Sequence, residues 1–198
     1  MKPPPRVIVF AGPNGAGKTT HAEPILQTLG IGTFVNADFI ARGLSGRDTK
    51  GVDFEAGRIM LRRMHQLALS REDFGFESTL ASRSIALFLA KLRRNGYRVS
   101  IFYFSLRTAS LAVRRVKMRV RLGGHDVPVE TVTRRYTRSL VNFFSIYRKL
   151  AEEWMVFDNS TAHRSHLIAR HNPDGTFIED DITWQNLLRL ASPTQRHS

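Results

Sequence analysis

Cysteine is absent from the 198 residues, which excludes disulfides, thiolate catalysis and Cys-based metal sites. Acidic side chains are scarce: 17 Asp and Glu face 30 Lys and Arg, a formal net charge of +13. No apolar run approaches the roughly 20 residues of a membrane helix. The opening MKPPPRVIVFAGPNG has too short an apolar run for a signal peptide, and a glycine-rich loop follows where a cleavage site would be needed. A cytoplasmic location with no membrane partner is therefore expected. No repeat and no linker composition divides the chain, so one α/β domain over residues 1–198 is expected. The basic excess favours polyanions such as nucleic acid, phosphorylated substrates or an acidic protein. Many of the arginines fall between Arg107 and Arg138, so part of this charge is local.

Apolar patterning predicts alternating strands and helices. Arg6–Ala11 is a continuous apolar run, the pattern of a strand buried on both faces. Further strands are predicted at Thr33–Asn36, Phe74–Glu77, Arg98–Leu106 and Met155–Phe157. Helices are predicted at Lys18–Leu29, Asp53–Ser70, Ser82–Arg94, Ala109–Leu122, Val129–Glu153 and Ile182–Leu190. Asn172-Pro-Asp-Gly175 is a turn signal between Ser165–Arg170 and Thr176–Ile178, which predicts a C-terminal β-hairpin. Ser192–Ser198 reads as a frayed end. The alternation implies a three-layer α/β fold with a mainly parallel five-stranded sheet.

Gly12-Pro13-Asn14-Gly15-Ala16-Gly17-Lys18-Thr19 matches G-x-x-x-x-G-K-[ST]. Glycines let the backbone curl so that its amides point at phosphate oxygens. The helix that starts there adds its positive dipole end. A buried strand before the motif and a helix after it supply the context that separates a phosphate loop from an incidental glycine-rich turn. Gly12 to Thr19, with Thr20, are thus candidate ATP-binding residues. Lys18 is expected at the β- and γ-phosphates and the Thr19 hydroxyl on Mg²⁺.

Other positions separate a kinase from a motor. The strand ending Ser105-Leu-Arg107 closes on no acid, and no Asn-Lys-x-Asp guanine motif is present. Acids instead follow two short strands: Asp38 and Glu77. Parallel strands open on the same rim as the phosphate loop. A carboxylate there can take the proton of an acceptor hydroxyl attacking the γ-phosphate. Asp38 also stands where a helix N-cap is expected, and Glu77 reads equally as the buried partner of an arginine. Basic residues flank Gly123-Gly-His-Asp-Val-Pro128, so two arginine-bearing helices joined at a Gly-Gly hinge are expected to form a lid. Helical spacing puts Arg114, Arg121 and Lys117 on one face and Arg115 and Arg119 on another. Most of these are expected to face solvent. Arg121, beside the hinge, and Arg134, one turn into the next helix, are expected at the site, with His125 as a hinge or cap residue.

These pieces together resemble the zeta-toxin family of P-loop kinases. The matching segments are AGPNGAGKTT at 11–20, FVNAD at 34–38, FEST at 76–79, RLGGHDVP at 121–128, RRY at 134–136 and FDNS at 157–160. The resemblance implies an ATP-dependent kinase that phosphorylates UDP-N-acetylglucosamine or a similar UDP-sugar and is held inactive by an antitoxin, here an acidic protein. It implies Asp38 as catalytic base, Lys18 and Thr19 as nucleotide and Mg²⁺ ligands, and Arg121 and Arg134 as lid arginines. Asn36, Asp38, Glu77, Ser78 and Thr79 become candidate substrate-binding residues. Ser78 departs from the glycine common in that family. Two alternatives stay open. One is a kinase of another acceptor, such as NAD, a nucleoside or a polynucleotide end. The other is a non-catalytic ATP-binding module that acts through protein contacts.

Overall fold

A computed structural model describes residues 3–45, 52–124, 126–161 and 165–192. The expectations for His125 and for residues 193–198 lie outside these. The first strand, β1 (Arg6–Ala11), is followed by α1 (Lys18–Thr28), β2 (Phe34–Val35), α2 (Ala37–Ser45), α3 (Val52–Leu69) and β3 (Phe74–Ser78). Then come α4 (Ser84–Arg94), β4 (Arg98–Ser105), α5 (Ala109–Arg121) and α6 (Val129–Ser145). The chain closes with β5 (Glu153–Asp158), β6 (His166–Asn172), β7 (Gly175–Ile178) and α7 (Asp181–Ala191).

One sheet holds all of these strands, in the order β2-β3-β1-β4-β5-β6-β7. The five expected strands pair in parallel. The hairpin is not an appendage to a five-stranded sheet: β6 pairs antiparallel with β5 and extends it to seven strands. β5 is an open edge whose backbone groups need partners, and β6 supplies them. Within the hairpin, the Asn172 side-chain carbonyl accepts from the Asp174 amide at 3.0 Å, an Asx turn that fixes the corner.

β1 lies at the centre because it can be buried on both faces. Val7, Val9 and Ala11 face a core with Met64, Phe76, Leu89 and Phe143. Ile8 and Phe10 face a second core with Ala22, Leu26, Ala112 and Val116. These are the two interlayer cores of a three-layer α/β fold. The chain moves from β3, on one side of β1, to β4 on the other. The carboxyl ends of these strands therefore open a crevice at a topological switch point.

Two elements differ from the sequence expectation. The helix predicted over 129–153 ends at Ser145, followed by a 3-10 turn at Tyr147–Lys149. Tyr147, Leu150 and Trp154 prolong an apolar stripe, but other elements bury them. Tyr147 is fully buried and its hydroxyl donates to the Ser82 carbonyl across the core. The second difference is at α2, where Asn36 and not Asp38 is the cap. The Asn36 Oδ1 accepts from the amides of Asp38 (2.8 Å) and Phe39 (3.3 Å), which satisfies orphan donors of the first turn and leaves the Asp38 carboxylate free of capping duty.

The last helix is locked to the sheet by aromatic stacking. Trp154 of β5 stacks on Trp184 of α7, with centroids 5.7 Å apart and planes at 7°, and on His171 of β6 at 5.4 Å. Trp184 is only 5% exposed. Truncating it to alanine is expected to cost about 3–5 kcal/mol by the cavity rule for large aromatics, read from urea denaturation. A loss under about 1 kcal/mol, within the range of a surface substitution, would show that α7 is not part of the cooperative unit.

Candidate active site

The loop between β1 and α1 is shaped by glycine at two close approaches. Gly12 has φ 134°, and a Cβ there would lie 2.2 Å from the Phe104 carbonyl oxygen. Gly17 has φ 80°, and a Cβ there would lie 2.5 Å from Asn159 Nδ2. Neither position tolerates a side chain without moving its neighbour. The same Asn159, just past β5, donates to the Ala16 carbonyl at 2.7 Å. Arg115 of α5 donates to the carbonyls of Gly15 (3.4 Å) and Ser160 (3.1 Å). The loop is therefore clamped from outside by its own carbonyls. The Ala16 amide turns back to the Pro13 carbonyl, and the buried Asn14 Oδ1 has no hydrogen-bond partner among the described residues. A cradle held open by glycines suits a bound phosphate chain, and the unpaired Asn14 oxygen, an acceptor, suits a donor or cation beside that chain rather than the phosphate itself.

Glu77, at the end of β3, is the centre of the polar network. Its Oε2 accepts from the Thr19 hydroxyl at 2.6 Å and from Asn36 Nδ2 at 3.0 Å. Its Oε1 is 3.4 Å from Lys18 Nζ, which also donates to the Pro13 carbonyl at 3.0 Å. Lys18 is 5% exposed and Asn36 is 4% exposed. A lysine so buried needs these oxygens around it. The partner of Glu77 is thus the loop lysine and not an arginine.

Asp38 stands across the cleft on the first turn of α2, half-exposed, with its Oδ2 accepting from Arg119 Nη1 at 3.2 Å. Ser78, the last residue of β3, and Thr79 lead into a tight turn. There the Ser78 hydroxyl accepts from the Leu80 amide at 3.1 Å and the Thr79 hydroxyl from the Ala81 amide at 3.5 Å. Leu80 takes φ 55°, unusual for a non-glycine residue, and is held there by Asn142 of α6, which donates to its carbonyl at 2.8 Å. The cavity lined by Asn14, Lys18, Thr19, Thr20, Asn36, Asp38, Glu77, Ser78 and Thr79 has a volume of about 530 Å³.

The arginines divide in a way their spacing foreshadowed only in part. Arg115 and Arg119 of α5, with Arg135 of α6, line this cavity. Arg121 does not reach it; its side chain lines an outer groove with Val113, Val116 and Lys117. The helical repeat explains this, because Arg115 and Arg119 are four apart and share the inner face whereas Arg121 is rotated away. Arg134 lines an adjoining cavity of about 390 Å³, which shares Asn14, Asp38 and Arg135 with the first. α5 ends in a hydrogen-bonded glycine stop, with the Gly123 amide on the Val120 carbonyl and the Gly124 amide on the Arg119 carbonyl, both 2.9 Å. Sequence reasoning did not assign Arg115, Arg119, Arg135 or Asn159 to the site. The i, i+4 spacing of Arg115 and Arg119 was a usable signal for two of them.

A family model described as "AAA domain" matches residues 7–141, a span that holds the phosphate loop, Asp38, Glu77 and the arginine pair. The chain belongs to this family. An uncharacterized protein of Haemophilus influenzae is 28% identical over 131 residues, covering 66% of this chain and 92% of its own. The cytidylate kinase of Halorubrum lacusprofundi is 31% identical over 83 residues, covering 38% of this chain and 43% of its own. Among solved structures, AvrRxo1-ORF1:-ORF2 with ATP has a TM-score of 0.75 at 17% identity. That alignment takes in 99% of this chain and 66% of the other, so this chain spans just under two thirds of that protein. The PezAT chromosomal toxin-antitoxin system of Streptococcus pneumoniae has a TM-score of 0.63 at 15% identity, covering 98% of this chain and 81% of that one. At these identities the likeness concerns the fold alone, a three-layer α/β P-loop NTPase fold. No helix among the described residues is long and apolar enough to cross a membrane.

The geometry makes the Gly17 position decisive for the loop. Gly17→Ala is expected to push Asn159 off the Ala16 carbonyl and to abolish the rise in melting temperature that saturating ATP produces. The free protein should lose no more than about 2 kcal/mol, the scale of a strained backbone position. An undiminished ATP-induced shift in a thermal melt would show that the clamp does not shape the nucleotide site.

Proposed function

We propose that the whole chain, residues 1–198, is one ATP-dependent kinase domain that transfers the γ-phosphoryl group to a hydroxyl of a small nucleotide-linked acceptor. UDP-N-acetylglucosamine or a similar UDP-sugar is the leading acceptor. The observation that carries this reading is Asp38. It is a half-exposed carboxylate, relieved of capping by Asn36, that pairs with Arg119 and lines the phosphate-loop cavity together with Lys18, Thr19 and Glu77.

The roles follow from chemistry. ATP supplies the γ-phosphoryl group, and the accompanying Mg²⁺ would be held by the Thr19 hydroxyl with Glu77 beside it. Gly12 to Thr20 cradle the phosphates through backbone amides and Lys18. Asp38 accepts the proton of the acceptor hydroxyl as its oxygen bonds to phosphorus and the β–γ bridge breaks, releasing ADP. Arg119 and Arg135 line the cavity where charge spreads over the transferring phosphoryl oxygens. Arg134 acts from the adjoining cavity, and Arg121 serves the lid from its outer side. Asn36, Glu77, Ser78 and Thr79 position the acceptor.

The zeta-toxin resemblance, joined to the fold likeness to PezAT, supports a toxin role with an acidic antitoxin as partner; the net charge of +13 complements such a protein. The same charge favours a second reading, a polynucleotide end as acceptor. Binding of an oligonucleotide would then fall steeply with salt, because each phosphate contact releases a counter-ion. A flat salt response sinks that alternative.

Acceptor-stimulated ADP release, measured with UDP-N-acetylglucosamine, NAD and an oligonucleotide, tests the proposal. Asp38→Asn is expected to lower kcat by about 10²–10⁴-fold, the usual contribution of a general base, with ATP binding retained. Lys18→Ala is expected to abolish transfer. Its fold should survive, since Lys18 itself belongs to neither apolar core and Glu77 keeps its bonds from Thr19 and Asn36. Tight ATP binding without turnover on any acceptor would instead favour a protein-interaction module. Overexpression should arrest growth, and the Asp38→Asn variant should not.

A further inference from the structure

The cations of the main cavity are unequally engaged. Lys18 pairs with Glu77 and Arg119 with Asp38, while Arg115 is spent on the Gly15 and Ser160 carbonyls. Arg42, in the last turn of α2, also lines the cavity. No carboxylate among the described residues pairs with it, and its guanidinium lies over the Phe39 ring, 5.8 Å from the centroid. Phe39 is 48% exposed, a large aromatic left at the cavity wall. An edge-to-face contact with Phe34 at 6.1 Å holds its ring.

Placement gives the pair its meaning. Residues 38, 39 and 42 are successive on the inner side of α2, with Arg42 four residues from Asp38 and three from Phe39. The ring therefore stands beside the carboxylate and the guanidinium one helical turn beyond it, all three lining the same cavity. An exposed aromatic face takes a flat ring by stacking. A guanidinium without a carboxylate partner takes a phosphate, for which its planar fork is suited.

We infer that Phe39 and Arg42 form the acceptor's recognition clamp. It binds a small molecule in which a phosphate or diphosphate adjoins an aromatic base, and it presents that molecule's hydroxyl to Asp38. The inference rests on the kinase reading for the position of Asp38 and adds the residues that select the acceptor. A neutral sugar, with neither an aromatic ring nor a charge, would leave both side chains unused.

Calorimetric titration of the full chain tests this, with the phosphate loop first saturated by AMPPNP and Mg²⁺. The probes are UDP-N-acetylglucosamine, NAD and glucose. The wild-type chain should bind at least one nucleotide-linked probe and not glucose. Arg42→Gln and Phe39→Leu should each raise the Kd of that probe about tenfold, the scale of one stacking or charged contact. AMPPNP affinity should be unchanged. Wild-type binding to neither nucleotide-linked probe, or equal affinity in the wild type and both variants, overturns the inference. Turnover judges the kinase reading separately. Binding that responds to both variants without phosphoryl transfer sinks the kinase and keeps the clamp. Transfer with the same KM in the wild type and both variants keeps the kinase and sinks the clamp.

Discussion

The Glu77 carboxylate ties the end of β3 to the phosphate loop at the start of α1 and to the segment after β2. It accepts from Thr19 at the start of α1, accepts from Asn36 at the end of β2, and balances Lys18 inside the phosphate loop. Asn36 in turn caps α2, which carries Asp38. One side chain thus sets the distance between the nucleotide loop and the proposed base. A buried lysine and a buried amide both need this carboxylate, so any change at Glu77 would leave polar groups without partners in a site of low dielectric. The site is held by mutual need rather than by packing alone.

Around this centre the sheet supplies rigidity and the helices supply charge. β1, buried on both faces, fixes where the loop begins; Asn159 past β5 and Arg115 on α5 fix how it curls. Two helix faces then diverge in use. The inner face of α5 turns Arg115 and Arg119 to the cavity, while Lys117 and Arg121 line an outer groove. The positive charge therefore lies partly along the cavity and partly in the outer groove. The first part surrounds a cavity whose carboxylates, among the described residues, are those of Asp38 and Glu77. Such a cavity favours anionic ligands by its own field.

Much of the architecture was legible along the chain. Hydrophobic runs marked the parallel strands, and the turn signal at Asn172–Gly175 marked the hairpin. The phosphate loop was legible because its function is written in consecutive residues: glycines, then lysine, then threonine, between a strand and a helix. Asp38 and Glu77 were legible as acids at strand ends. The end of α6 was not, because Tyr147 and Trp154 continue an apolar stripe while burying it against different partners.

What the sequence by itself determined is local: which segments are strands, where the loop curls, and which residue types could bind phosphate. The tertiary structure alone decided which arginines face the cavity, that Asn36 rather than Asp38 caps α2, and that the hairpin extends the sheet. Helical spacing states which residues share a face but not which way that face points; only packing against the neighbouring layer sets the rotation. In the same way, strand pattern marks an edge without naming its partner. The partners of Glu77 lie 41 to 59 residues away along the chain, and folding alone brings them within hydrogen-bonding distance.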